Sequence, residues 1–221
     1  MPIDKMIPLM IGGVRDTLYM TLVSTLFAYL LGFPLAILLV LTSPKGLKPI
    51  PLLYRIMDAI VNIFRSIPFL ILLIMVIPLT RLIAGKAYGS TATIVPLVIA
   101  AAPYVARMIE SSLLEVDPGV IEMAQSAGAN IPTIVFKVLI PEAKTSLIVG
   151  ATISTGTILG YSAMSGAVGG GGLGQIAISY GYNRYQTSVM LVTVVLLVIL
   201  MQIFQLVGMT ISRKTDKRTR E

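Results

Sequence analysis

Long apolar blocks without charge alternate with short charged segments along the chain. Five blocks contain no Asp, Glu, Lys or Arg: residues 17–44, 66–80, 87–106, 145–183 and 185–212. A helix needs about 20 apolar residues to cross a bilayer, and the first, third and fifth blocks meet that length. The second block extends past Arg81, because a long basic side chain can reach the membrane surface. The fourth is too long for one span, so it predicts a helix over 146–164 and then a glycine-rich loop over 165–183.

The pattern predicts five membrane-spanning helices, at 17–41, 66–84, 90–107, 146–164 and 188–211. Between the first two, apolar residues recur at helical spacing from Leu53 to Phe64, with Arg55, Asp58 and Asn62 between them. This spacing is typical of an amphipathic helix that lies at the membrane surface. Because the chain has no internal repeat and no low-complexity linker, the predicted fold is all-α, with one polytopic membrane domain over residues 1–221.

Composition agrees with a membrane protein and removes several classes of site. Hydrophobic residues make up 56% of the chain and charged residues 12%, whereas an average soluble domain is about 25% charged. The mean hydropathy is +0.90. Because the sequence contains no Cys and no His, it excludes disulfides, thiolate nucleophiles, Cys/His metal sites and histidine acid–base chemistry. We therefore predict that the chain is not an enzyme and has no catalytic residue, metal site or cofactor of its own.

The distribution of positive charge predicts an orientation. Twelve of the 17 Lys and Arg residues flank one set of span ends, and the other five flank the opposite set: Lys5, Arg15, Arg81, Lys86 and Arg184. Cytoplasmic loops are enriched in Lys and Arg, so we place the C-terminus in the cytoplasm and the N-terminus outside. The basic tail is then a topology anchor, and a nucleic-acid-binding arm is the weaker interpretation. The N-terminus lacks the pattern of a cleaved signal peptide, so the first span is expected to remain.

The cytoplasmic loop over 108–144 has a structure of its own. With the adjoining Arg107 it holds eight of the 27 charged residues of the chain, among them half of the acidic ones. Asp117 suits the N-cap of a helix and Pro118 suits its first turn, while Gly128 can end that helix in a left-handed conformation. Apolar residues return at helical spacing after Pro132. The loop therefore predicts two short helices with a bend between them.

A motif in this loop carries the functional prediction. It consists of two segments separated by nine residues: Glu122-Met123-Ala124-Gln125-Ser126-Ala127-Gly128 and Val138-Leu139-Ile140-Pro141. This arrangement resembles the EAA motif of the membrane subunits of bacterial ABC importers, with Met123, Val138 and Ile140 as apolar exchanges. The resemblance implies that the 117–129 helix is a coupling helix, which docks in a groove of an ATPase subunit through Asp117, Glu122, Met123, Ala124, Gly128 and Pro141. The alternative is a plain surface helix that packs on its own loop.

Further segments resemble the permeases of methionine importers: residues 65–68, 102–107, 160–164 and the glycine-rich run 166–174. That run is not a nucleotide-binding loop, because no Lys follows its glycines. The resemblance implies a homodimer in the bacterial cytoplasmic (inner) membrane, in contact with lipid and without nucleic acid. It also implies two copies of an ABC ATPase subunit, which bind ATP and Mg, and an extracytoplasmic methionine-binding (lipo)protein. The expected substrate is L-methionine, with D-methionine and derivatives as further candidates.

The fourth predicted span carries candidates for the translocation pathway. Ser154, Thr157, Tyr161 and Ser165 share one helix face, and polar groups avoid lipid, so the face favours a water-filled pathway or a helix interface. Alternatively, the hydroxyl groups bond carbonyls of their own helix. Met164, at the outer end, is a candidate apolar gate with its symmetry mate, as the resemblance also implies. It equally suits a packing role.

Five helices are few for an enclosed pathway, so we predict a two-fold symmetric dimer. Gly156 and Gly160 are spaced for close helix approach and suit a subunit contact. The alternative function is an ion-coupled secondary transporter or channel for a small solute. Such a protein normally buries ionisable residues in mid-membrane, whereas Asp58 falls in the surface helix and Glu110 at a span end.

Overall fold

A computed structural model describes residues 2–215, and within that range the fold is helical without a β-strand. Eleven α-helices follow in chain order: α1 Ile3–Thr42, α2 Pro51–Ser66, α3 Phe69–Met75, α4 Ile77–Ala84, α5 Ser90–Leu114, α6 Pro118–Ser126, α7 Ile131–Ile134, α8 Ile140–Glu142, α9 Lys144–Ser165, α10 Gly172–Ile176 and α11 Thr187–Thr215. Wider π-helical turns occupy Val135–Leu139 and Ala177–Tyr182, and a 3₁₀ turn occupies Gly166–Val168. The all-α prediction is confirmed. The tail residues Lys217, Arg218 and Arg220 lie outside the described residues.

The number of helices that can cross a membrane agrees with the sequence. Four described segments are long and apolar enough, namely α1, α5, Lys144–Tyr182 and α11. The pair α2 and α3 passes the same test together, with a bend of 101° between its members, which gives up to five spans. The first helix starts at Ile3 and not near residue 17, because the charges that bounded the predicted span do not interrupt helical hydrogen bonding.

The second predicted span, 66–84, is wrong as a continuous helix. It is broken at Val76, where α3 ends and α4 begins. Pro78 lies in the first turn of α4, and a proline inside a continuous helix would remove one hydrogen bond and clash with the preceding turn. The break therefore places Pro78 where its missing N–H costs least. Gly85 then ends α4 in the left-handed conformation, with φ of +70°.

The glycine-rich loop predicted over 165–183 is also wrong, because most of this segment is helical. Gly169 and Gly171 have positive φ and turn the chain back on itself, so that α10 packs against the end of α9. A Cβ atom on Gly174 would lie 2.0 Å from the carbonyl oxygen of Ala163. These glycines serve close helix packing, and a sequence pattern that treats glycine as a loop residue misses this use.

The contacts of the chain form two compact units. The first comprises Met1–Ala28, Ile67–Ala101 and Thr155–Gln205. One cluster of its buried core consists of Met10, Leu159, Leu173, Ile176, Val189 and Leu200.

The second unit comprises Tyr29–Ser66, Ala102–Ser154 and Leu206–Glu221. Within it α1 and α5 cross closely, since a Cβ atom on Gly32 would lie 2.8 Å from the carbonyl oxygen of Ala102. The interpretation of residues 1–221 as a single transport domain stays a prediction.

Candidate functional site

The helix α6 has both of the ends that the sequence predicts. The Asp117 carboxylate accepts a hydrogen bond from the backbone N–H of Gly119 at 2.7 Å, and Pro118 occupies the first turn. At the other end Gly128 has φ of +79°, and the N–H of Ala129 donates to the carbonyl of Ala124 at 3.0 Å. Such caps satisfy backbone groups that a short helix leaves unpaired. This helix is therefore defined by its sequence and does not depend on burial.

No residue of α6 is buried. Glu122 is exposed, and the Met123 side chain is 67% exposed although it is large and apolar. Ala124 is partly buried and Gly128 is exposed. Small residues with a protruding apolar and an acidic side chain form a surface that another protein can approach closely. The exposed residues suit docking to another protein, and α6 also contacts the helical segment that follows it in the loop.

A second short helical segment supports α6 from within the loop. The Asn130 side chain accepts a hydrogen bond from the N–H of Thr133 at 3.0 Å and so caps α7. The π-helical turn that follows buries Val135 and Leu139 and contacts α6. Pro141 is exposed in α8. The predicted pair of short helices is confirmed, and the second continues through Pro141 almost to the start of α9.

A cleft of about 650 Å³ lies beside the N-cap of α6. Its lining includes the carboxylates of Glu115, Asp117 and Glu142, together with Lys144 and the end of α11 at Thr215. All four of the charged residues are exposed. The predominance of acidic groups makes this cleft suited to a basic or polar segment of a partner.

The predicted pathway residues of α9 lie in different environments. Ser154 and Ser165 have no exposed surface, and the Ser165 hydroxyl donates to the carbonyl of Ser162 at 2.7 Å. Thr157 and Tyr161 are partly buried. Met164, by contrast, is 51% exposed. The structure thus places these residues along one helix but presents only part of the face to the surroundings, and their role in a pathway stays a prediction.

A polar cluster that the sequence analysis missed joins α2 to α5. Arg107 donates from Nη1 to Glu110 Oε2 at 2.8 Å and from Nη2 to Asn62 Oδ1 at 3.0 Å, and Nη2 also pairs with Asp58. Asn62 Nδ2 in turn donates to Asp58 Oδ2 at 3.0 Å. Glu110 is only 3% exposed. The spacings within each helix are visible in the sequence, but the contact between the two helices depends on their packing.

Comparison with known proteins identifies the family. Residues 28–221 match the family described as binding-protein-dependent transport system inner membrane component. The chain belongs to this family. It is therefore a component of the bacterial inner membrane and a transport subunit, not itself an enzyme, and the resemblance drawn from the EAA-like motif is confirmed.

Members of this family with similar sequences are known from several bacteria. The probable D-methionine transport system permease protein MetI of Vibrio cholerae is 48% identical over 210 residues, which cover 95% of this chain and 93% of the relative. The D-methionine transport system permease protein MetI of Escherichia coli is 49% identical over 163 residues, 74% of this chain and 75% of the relative. Similarity thus extends over nearly the whole chain.

Solved structures share this fold. A chain in an inward-facing structure of the MetNI methionine ABC transporter is 49% identical to this one and superimposes with a TM-score of 0.96. The match covers 98% of this chain and 100% of that chain. A crystal structure of an amino acid ABC transporter with histidines is 22% identical, with a TM-score of 0.79 and 96% coverage of each chain. The second likeness concerns the fold alone.

Proposed function

We propose that the chain is the permease subunit of an ATP-driven importer that moves methionine across the inner membrane. The observation that carries the proposal is α6, a helix capped at both ends, without a buried residue, and formed by the EAA-like motif. The similarity to D-methionine permeases and to the MetNI methionine ABC transporter supports the substrate. We include L-methionine because both enantiomers carry the same side chain, and this side chain distinguishes methionine from other amino acids.

The partner that binds α6 is an ABC ATPase subunit. Two copies of this subunit bind ATP and Mg. Glu122 offers a charge for a basic residue of that subunit, while Ala124 and Gly128 leave room for its backbone. Asp117 holds the helix in shape through its cap, and Pro141 lies in the segment that supports it. A rigid exposed helix of this kind can transmit the movement of the ATPase subunits to the spans.

The second partner is another copy of this chain. On α9 a Cβ atom at Gly160 would meet nothing within 4 Å, and Met164 one turn further on is exposed. We place this open face at the two-fold axis, where Met164 and its symmetry mate close the outer end of the pathway. The pathway and its supporting wall are formed, in this proposal, by Ser154, Thr157, Tyr161 and Ser165.

The membrane orientation follows from charge, with the N-terminus outside and the C-terminus in the cytoplasm. An extracytoplasmic methionine-binding (lipo)protein then delivers the solute at the end of α9 that carries Met164, and α6 faces the cytoplasmic ATPase. Lipid covers exposed apolar side chains of the long helices, such as Leu26 and Leu30 in α1 and Val194 in α11. In such contacts the side chains lose no favourable solvation.

Transport by the reconstituted complex tests the proposal. The permease is inserted in liposomes with the ATPase subunit, and uptake of labelled L- and D-methionine is measured with the binding protein on the opposite side from ATP. We expect uptake that requires ATP hydrolysis, that a non-hydrolysable ATP analogue does not support, and that needs the binding protein. Uptake that continues without ATP and stops when a proton gradient is dissipated would show an ion-coupled transporter instead.

A further inference from the structure

The amphipathic helix α2 is held by few apolar contacts. Val61 is its one buried residue, and most of its large side chains are exposed, among them Ile56, Ile60 and Ile63. The hydrophobic packing that fixes most helices in proteins is therefore small here. The polar contacts of Asp58 and Asn62 with Arg107 supply a specific attachment of this helix to α5.

The geometry of this attachment needs an arginine. The two terminal nitrogens of Arg107 serve three acceptors, which are Glu110 in α5 and both Asp58 and Asn62 in α2. A guanidinium group has donors in a fixed fork, whereas a lysine ammonium is a single point charge on a flexible stem. Glu110 is nearly fully buried, and a buried carboxylate is stable only when paired. Arg107 thus fixes a carboxylate of each helix at the same time.

The same end of α5 leads into α6. Arg107 lies seven residues before Leu114, the last residue of α5, which corresponds to about 10 Å of helix at 1.5 Å per residue. Only residues 115–117 separate α5 from α6, and Val116 between them is buried. Displacement of α6 therefore reaches Arg107 through a short linker and two turns of helix.

We propose that Arg107 is a positioning residue for transport, which joins α2 to the α6-bearing end of α5 so that the two helices move as one body. This inference rests on the proposed function. The sequence predicts that α2 lies at the membrane surface, and a helix there resists displacement along the bilayer normal. In that position α2 gives α5 a brace at the level where α6 is pushed. Without the brace, ATP hydrolysis continues but less of the movement of α6 reaches the spans.

The ratio of methionine transported to ATP hydrolysed tests this brace. We compare the wild-type complex in liposomes with Asp58→Asn, which keeps the shape of the side chain but removes its charge. The expected result is a fall of roughly tenfold in the ratio, within the usual range of coupling between sites, with ATP hydrolysis largely retained. Asp58→Glu is expected to restore most of the ratio. A purely structural defect would instead lower transport and hydrolysis together.

A matched control lies on the same helix. Arg55 is exposed in α2 and forms no ion pair with any other described residue, so Arg55→Gln removes a charge without touching the cluster and should leave the ratio unchanged. An unchanged ratio in Asp58→Asn would overturn the brace while leaving the importer intact. If the wild-type complex itself moves no methionine with ATP, the proposed function fails and not this inference alone.

A covalent bridge gives the second test, because the chain contains no cysteine. Asp58→Cys and Arg107→Cys are combined with Glu110→Gln, so that no buried carboxylate is left alone, and assembled with a cysteine-free ATPase subunit. A short bis-maleimide that joins the two thiols should raise the transport ratio severalfold over the unbridged protein. A bridge that leaves the ratio unchanged or abolishes transport would show that α2 and α5 do not move as one body.

Discussion

The rings of Phe69 and Tyr161 are stacked in parallel, with centroids 4.6 Å apart and planes at 3°. Phe69 is the first residue of α3, directly after the bend from α2, and Tyr161 lies in the C-terminal half of α9. Aromatic pairs of this kind contribute about 0.5–1.5 kcal/mol beyond the burial of their area. The pair thus fixes the start of α3 against α9, the helix that carries the proposed pathway residues.

Loss of one ring should weaken this contact measurably. We expect Phe69→Ala to lower the free energy of unfolding by about 3 kcal/mol, since Phe69 is buried, and Tyr161→Phe to have little effect because the stack is kept. Thermal unfolding of the purified protein in detergent measures both. A double-mutant cycle of Phe69→Ala with Tyr161→Ala should give a coupling energy of about 1 kcal/mol. Strict additivity would show that the rings do not interact.

The end of α6 should depend on the backbone of Gly128 and not on space around it. Nothing lies within 4 Å of a Cβ atom built there, but φ is +79°. Gly128→Val should therefore cost about 1–2 kcal/mol in local strain, distort the end of the helix and reduce ATP-dependent uptake. Gly128→Asn, which tolerates this conformation better, should transport nearly as the wild type does. Equal uptake by both variants would contradict a left-handed end.

Charge reversal at Glu122 should affect assembly with the ATPase subunit and not insertion in the membrane. Glu122 is exposed and lies on a helix without buried residues, so Glu122→Lys loses no internal packing. We expect normal amounts of protein in the membrane but weaker co-purification with the ATPase subunit and reduced uptake. Because Glu122→Gln keeps the size without the charge, it distinguishes an ion pair from steric disturbance. Full transport by Glu122→Lys would refute the assignment of α6.

Addition of a methyl group at Gly174 should disrupt the packing of α10 on α9. The new Cβ atom would lie 2.0 Å from the carbonyl oxygen of Ala163, and a backbone atom cannot turn aside as a side chain can. We expect Gly174→Ala to lower the thermal midpoint strongly or to prevent isolation of folded protein. Gly12→Ala is the control, since nothing lies within 4 Å of a Cβ atom at that position. Similar midpoints for the two variants would contradict the close contact.

Local signals made the helix α6 predictable. The cap at Asp117, the proline after it and the left-handed Gly128 act within a few residues, so the sequence alone contains the information. Helix α6 also has no buried residue, and tertiary contacts therefore had little opportunity to shift its ends. The long apolar helices were predicted from their composition, but their ends differ from the prediction, as at Ile3 in α1.

The features that were missed depend on contacts between distant parts of the chain. Glycine normally marks a loop, but Gly174 is used for close packing of α10 against Ala163. Likewise Arg107 looked like a residue that marks the membrane edge, because the pattern along one helix does not reveal its partner Asp58 on another. Tertiary packing decided both cases, and the periodicity of apolar residues carries no record of it.

The length of α1 has a consequence for measurement. At 1.5 Å per residue its 40 residues extend about 60 Å, roughly twice the thickness of the hydrocarbon core. Lipid tails can surround only part of such a helix. Its first turns expose the apolar side chains of Ile3, Ile7 and Ile11, and this stretch therefore needs contacts other than lipid tails to shield it from water. A single spin label or fluorophore, attached in turn at successive residues of this helix, would therefore report where the helix enters and leaves the bilayer in steps of about 1.5 Å.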